Sequence, residues 1–251
     1  MSSESFFNVI YSIVIKTGFV DISNNVVVPH SDDKITINEV KDEHDDTGEI
    51  VVEKNKRMSI LEQKDIEIAA QILKEGGALV FPTETVYGIG VVYDDEAAFS
   101  NLVAIKRRPP NKPFSLMCSS GNEASRFIES SEKVTEMLEK FLPGEITFLV
   151  RARKDLPKWV TLGTDVIGIR VPASDYVCDL IAKVGKPCLV TSANISGDPT
   201  SRFFEEVLPI FNDSVDGIVK GKCESLIPKT IVDLTSDEIK LIREGPVPFI
   251  I

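Results

Sequence analysis

From about Met58 onward, short apolar runs recur that are too brief for helices and are bounded by turn residues, so they read as strands. They are "ALVF", "FSLMC", "ITFLV", "VIGIRV", "PCLVTS", "DGIVK", "TIVDL" and "IKLIRE". Segments of helical period lie between them. In "SILEQKDIEIAAQILKEGG", Ile66, Ala69, Ala70 and Leu73 share one helical face, with Ser59 as the expected cap and Gly76 as the stop. Further helices are predicted from Asp95 to Ile105, in one or two pieces across 122–141, and over "SDYVCDLIAKVG" and "SRFFEEVLPIF". Strands and helices intermix without strict βαβ repetition. The prediction is an α/β fold: one domain, residues 58–251, on a twisted mixed parallel and antiparallel sheet flanked by helices. Residues 1–57 form an N-terminal extension of short β-prone pieces and acidic clusters, expected to be partly strand-like or disordered.

Which chemistry can this domain run? Both histidines, His30 and His44, lie in the extension, so a His triad, general base or metal site is not available to the main domain. Cys118, Cys178, Cys188 and Cys223 are far apart without CxxC spacing. They read as reduced core thiols, with no zinc site to be assembled from them. A net charge of −11 argues against a dedicated nucleic-acid binder but leaves room for a local basic pocket. The longest apolar stretches are too short to span a bilayer, and "FFNVIYSIVI" is interrupted by Asn8 and Ser12. Without a basic leader or cleavage site, the expectation is a soluble cytoplasmic protein with no membrane contact.

Four stretches are richer in polar and turn residues than a sheet requires, and each falls at a strand end, where ligands of open α/β sheets bind. "FPTETVYGIG" places Thr83, Glu84, Thr85 and Tyr87 after Pro82, with Gly88 and Gly90 allowing close backbone approach to a ligand. A capped turn around a buried Tyr explains it equally well. "AIKRRPPNKPF" gathers Lys106, Arg107, Arg108 and Lys112 at a helix end. Cations there complement the helix dipole, and an Arg fork beside a Lys point charge also suits phosphate. "LVTSANISGDPTS" lines a Gly-containing loop with Thr191, Ser192, Asn194, Ser196 and Thr200, which serve either phosphate and ribose oxygens or an Asx/Ser turn. It is not a Walker A loop. Finally, Arg170 and Arg243 end apolar strands, and Lys229 and Thr230 open another. A cation embedded in such a run wants an anionic partner, either a ligand or an internal carboxylate.

In order and spacing, these stretches resemble the YrdC/TsaC family of threonylcarbamoyl-AMP synthases over about residues 60–248. "GGALVFPTETVYGIG" looks like the family's opening signature, "KRR" its K-x-R and "PGEITFLV" its P-G-x-x-T strand. "IGIRVP" resembles its R-x-P, "TSANISG" its S-x-N loop and "LIREGP" its closing R-x-G. The resemblance implies a YrdC-like catalytic domain that joins L-threonine, bicarbonate and ATP into threonylcarbamoyl-AMP with release of pyrophosphate. Partner proteins would then transfer the threonylcarbamoyl group to tRNAs decoding ANN codons. It further implies Mg2+ travelling with the triphosphate, and a weak tRNA contact.

Carried over by position, Lys106, Arg108, Ser192 and Asn194 resemble the catalytic tetrad on the ATP phosphates, joined by Pro110, Val166, Thr200 and Arg243. Thr83, Ser115, Arg170, Val190 and Lys229 would hold threonine, Arg170 by its carboxylate. No protein metal ligand is implied. Two positions depart from the pattern. Glu145 replaces a common Pro, and Lys229 a common Ser, exchanging a small hydroxyl for a charge. Three alternatives stay open: a paralogue with weak or no synthase activity that binds nucleotide or RNA, an RNA-binding module, and a carbamoyltransferase subunit of hydrogenase maturation.

Overall fold

The computed structural model describes residues 58–109, 111–223, 229–245 and 249, and the backbone of two short strands, β1 (Ile13–Ile15) and β2 (Gly18–Val20). The chain divides into two units, Met1–Lys56 and Arg57–Ile251. In the first, β1 and β2 pair antiparallel, Ile13 opposite Val20. The rest of the extension lies outside the described residues.

The second unit opens with a departure from expectation. Ser59 does not cap a helix but begins a strand, β3 (Ser59–Leu61), and a 3-10 turn at Gln63–Asp65 intervenes before helix α1 (Ile66–Lys74). The reason is long-range: Ser59 N–H donates to Asp216 O at 3.0 Å, and Leu61 O accepts from Lys220 N–H at 2.7 Å. Strand pairing with a segment far along the chain overrides the local helical pattern. The helix then runs as its period requires, burying Ala69, Ala70, Ile72 and Leu73, and stops before Gly76 in the left-handed region at φ 78°.

Strand β4 (Leu79–Phe81) follows, then β5 (Gly88–Val92), helix α2 (Glu96–Lys106), β6 (Ser115–Met117) and the single turn α3 (Gly121–Ala124). Helix α4 (Glu132–Phe141), β7 (Ile146–Arg151), the short α5 (Lys158–Thr161) and β8 (Val166–Arg170) come next. The chain continues through α6 (Asp175–Val184), β9 (Cys188–Ser192), α7 (Phe204–Phe211), β10 (Gly217–Val219), β11 (Thr230–Asp233) and β12 (Lys240–Arg243). Several helices start on side-chain caps, Asp95 on Ala98 N–H at 3.0 Å and Ser131 on Val134 N–H at 3.3 Å among them.

One mixed sheet results, in the order β12-β11-β7-β8-β6-β9-β5-β4-β10-β3. β11/β7, β6/β8, β10/β4 and β10/β3 are parallel, the other pairs antiparallel. Two apolar cores flank it. The larger includes Val80, Ile89, Leu102, Leu116, Phe148, Ile169 and Phe211. The smaller, including Leu73, Phe81, Met117, Leu180, Ile181 and Val190, lies under α1 and α6. This is the mixed α/β architecture expected from the strand runs.

The opening loop is shorter than its polar sequence suggests, because residues 88–92 form β5 and are all buried. At Gly88 and Gly90 the space a side chain would take is filled by Val190. A Cβ on Gly90 would stand 2.9 Å from Val190 Cγ2, and one on Gly88 3.2 Å from Val190 Cγ1. Both glycines serve close strand packing. Tyr87 is fully buried, with its hydroxyl 2.9 Å from Gly221 O and 3.1 Å from Val219 O. Tyr87→Phe strands those buried acceptors and is expected to lower stability by about 1–2 kcal/mol, read as a lower denaturant midpoint at unchanged slope.

The four cysteines are free, three of them buried and Cys178 half-buried. Burial pushes the Cys188 thiol up to about 12, which suits an inert core residue.

Candidate functional site

Helix α2 ends on Lys106, whose side chain is 1% exposed despite its charge. The ammonium donates to Ser192 O, to Asn194 O and, at 3.1 Å, to Asn194 Oδ1. In return Lys106 O accepts from Ser196 N–H at 3.0 Å. The helix end is thus tied in both directions to the loop after β9. Ser192 Oγ donates to Asn194 Oδ1 at 2.7 Å, while Asn194 Nδ2 donates to Ile195 O at 2.9 Å and to Asp198 O at 2.7 Å. Lys106, Ser192 and Asn194, expected together from sequence, form one hydrogen-bonded cluster. Burial, then the neighbouring charges of Arg108 and Lys112, lowers the Lys106 pKa to about 7.

Arg107 takes a left-handed conformation at φ 47°, ending α2 and turning Arg108 back toward the sheet. Arg108 Nη1 donates to Thr191 Oγ1 at 3.3 Å, Nε to Lys112 O at 2.8 Å and Nη2 to Pro113 O at 2.5 Å. Its guanidinium also lies 4.4 Å from the Phe114 ring centroid. Pro110 lies outside the described residues.

Strand register sorts the other expected residues by face. Val190 pairs with Gly90 and Ser115, Ser115 with Gly168, Met117 with Arg170, and Ser192 with Gly88. Gly168 pairs with Leu149, Thr147 with Ile231, and Ile231 with Arg243. Directly paired residues, and residues two apart on a strand, share a face. Ser192, Val190, Ser115, Val166, Arg170 and Arg243 therefore project to one side of the sheet. Thr191 projects to the other, where Arg108 meets it, so the Lys106–Arg108 segment wraps the end of β9 rather than lying on the Arg170 face. Thr200 is half-buried on the way to Ser201, whose carbonyl accepts from Tyr87 N–H at 2.9 Å. Arg243 Nε donates to Lys229 O at 2.9 Å, and Thr230 Oγ1 accepts from Gly245 N–H at 3.1 Å.

Thr83 stands at the root of the loop after β4. Its hydroxyl donates to Val86 O at 2.7 Å and accepts from Thr85 N–H at 3.2 Å. This is the capped-turn reading of that motif. The next residue, Glu84, forms an ion pair with Arg170. The internal carboxylate that a strand-end Arg can take as partner is present, 86 residues away in sequence. Nothing in the sequence marked Glu84 as that partner, because no local spacing connects a loop after β4 to the end of β8. Among the described residues, no group of three or more His, Cys, Asp or Glu side chains could hold a metal ion. No helix among them is long and apolar enough to cross a membrane.

These features define a class: a mixed α/β sheet with a basic helix end locked to a hydroxyl-and-amide loop at one strand terminus, and a cationic face beside it. The chain belongs to the Sua5/YciO/YrdC family, whose model, described as "Telomere recombination", matches residues 71–245. It is 32% identical over 183 residues to an uncharacterized protein of Haemophilus influenzae, a match covering 72% of this chain and 88% of that one. It is also 32% identical over 190 residues to the threonylcarbamoyl-AMP synthase of Pyrococcus abyssi, covering 75% of this chain but only 56% of the synthase. The crystal structure of P. abyssi Sua5 complexed with L-threonine superposes with a TM-score of 0.71 at 30% identity, over 76% of this chain and 58% of that one.

Proposed function

We propose that the chain synthesises threonylcarbamoyl-AMP from L-threonine, bicarbonate and ATP, releasing pyrophosphate. The observation that carries this reading is the Lys106–Ser192–Asn194 cluster with Arg108 beside it: concentrated positive charge and hydrogen-bonding groups with no Cys or His among them. The proposed reaction needs none. The threonine amine takes up bicarbonate with loss of water, and the resulting carbamate oxygen attacks the α-phosphorus of ATP. The O–P bond to the β-phosphate breaks and pyrophosphate leaves with the electron pair. The protein must align the reactants and offset phosphate charge, the dominant contributions at phosphorus.

On this reading Lys106, Arg108, Ser192 and Asn194 act on the phosphates, with Pro110, Val166, Thr200 and Arg243 around the nucleotide. Thr83, Ser115, Arg170, Val190 and Lys229 line the threonine side. Mg2+ would arrive on the triphosphate, held by phosphate oxygens and water. The product would pass in the cytoplasm to proteins that modify tRNA, with a weak tRNA contact. Support comes from the P. abyssi synthase and its threonine complex.

The test is pyrophosphate release with each of ATP, threonine and bicarbonate omitted in turn. Release that needs all three, with threonylcarbamoyl-AMP detected by mass, is expected. Release indifferent to threonine overturns the proposal in favour of a nucleotide-binding paralogue, a reading motivated by Lys229 in place of a hydroxyl.

A pH dependence follows from Lys106. Its folded pKa is depressed, so the ammonium form is held below about pH 7 and is lost as pH rises through that value. Because kcat/KM reports groups of the free enzyme, kcat/KM for ATP is expected to fall above about pH 7. A guanidinium keeps its charge there, so Lys106→Arg should remove that break. A profile flat from pH 6 to 9 in the unmodified protein overturns a Lys106 that loses its proton near pH 7.

A further inference from the structure

We infer that Glu84 receives the ammonium of a zwitterionic α-amino acid whose carboxylate lies on Arg170, the role the synthase reading already gives that arginine. This rests on the synthase reading above and assigns Glu84 a role in it.

The pair is incomplete as a structural salt bridge. The Arg170 side chain is 0% exposed and the Glu84 side chain 9%, yet only Arg170 Nη2 and Glu84 Oε1 meet. Arg170 Nε and Nη1 and Glu84 Oε2 are buried with no hydrogen-bond partner among the described residues. Buried ion pairs add to stability only when the remaining donors and acceptors are also satisfied. What is left open has a definite chemistry: two donors on a cation beside one acceptor on an anion. A carboxylate and an ammonium on one carbon match that set with opposite charges and a separation of one hydrogen-bonding group. A phosphate would meet Glu84 with like charge, and an apolar group would leave all three atoms unsatisfied.

Chain is also spent to place Glu84 there. In the sheet, β4 and β8 are four strand steps apart, roughly 19 Å at about 4.8 Å per step. The loop after β4, with consecutive bends at residues 84–86, and the long side chains of Glu84 and Arg170 together close that distance. Ser115, Val190 and Gly168 share the Arg170 face. Glu145 adds a second, weaker negative field at Arg170, and Cys178 also lies within its electrostatic reach. A ligand that brings both charges can satisfy the open atoms on both halves of the pair.

The test is calorimetric titration of the full chain, and of Glu84→Gln, with threonine, 2-aminobutyrate, which lacks the hydroxyl, and 3-hydroxybutyrate, which lacks the amine. Losing one charge-assisted hydrogen bond corresponds to about 10–100-fold, so threonine should bind that much more tightly than 3-hydroxybutyrate to the unmodified chain. In Glu84→Gln this ratio is expected to fall toward unity, while the ratio of threonine to 2-aminobutyrate is unchanged. A purely structural Glu84 would weaken all three ligands together and leave both ratios intact, which overturns the subsite. If Glu84→Gln does not fold, Glu84→Asp should give an intermediate amine ratio, and an unaltered ratio again overturns the proposal. Threonine failing to bind the unmodified chain, with or without a non-hydrolysable ATP analogue, overturns the synthase reading itself. An unchanged ratio with threonine bound overturns only the role of Glu84.

Discussion

Lys106→Met is expected to lower kcat/KM for pyrophosphate release by about 10²–10³-fold, or about 3–4 kcal/mol of transition-state stabilisation. Methionine matches the length of the lysine stem but removes the charge and the donors. The three acceptors of the ammonium lie at the end of β9 and on the loop after it, so its hydrogen-bonding capacity is taken up by Ser192 and Asn194. In the proposed reaction its effect on the phosphates would therefore come as field from a buried site, together with the placement of Ser192. Two consequences separate this from general damage. The loss should appear in kcat as well as KM, since a field at developing charge is worth more in the transition state. The melting transition should stay cooperative, because the loop and not the core loses its ties. Near-wild-type turnover in Lys106→Met, and likewise in Arg108→Ala, removes this cluster from the reaction.

Arg170→Ala is expected to cost about 3–5 kcal/mol of folding stability, the largest effect among the substitutions considered. The change leaves Glu84 buried without its counter-charge and empties the space of the largest fully buried side chain among the described residues. Denaturant midpoints at constant slope measure it. Removing both charges, as Glu84→Gln with Arg170→Met, should recover much of the loss, since the cost lies in the unpaired carboxylate. A double variant no more stable than Arg170→Ala would mean that packing, not charge, holds this corner.

The strand-forming runs were legible because each is a compact apolar segment with turn chemistry at its ends. The same holds for the end of α2 and the Ser192–Asn194 loop, whose polar residues exceed what a sheet needs. Other features were hidden for physical reasons. β3 is three residues whose strand character comes from pairing with residues 217–219, far beyond any local window. β5 is covered on both sides, so it lacks alternation, and its glycines resemble a loop although they accommodate Val190. The ionic partner of Arg170 was foreseen as a type but not as a residue. Distances across a sheet are set by strand order, and strand order is not written in any single segment.

Strand order also decides when the site can exist. β10 lies between β3 and β4, so two segments adjacent in sequence are held apart by one that follows them by more than a hundred residues. The Tyr87 hydroxyl closes on Val219 and Gly221, in the same late segment. Pairings of such long sequence separation form only after loop-closure entropy has been overcome, and they slow folding. The loop that carries Thr83 and Glu84 therefore gains its last anchor only when residues 217–221 join the sheet. A motif near the start of the domain is thus completed by one of its late segments.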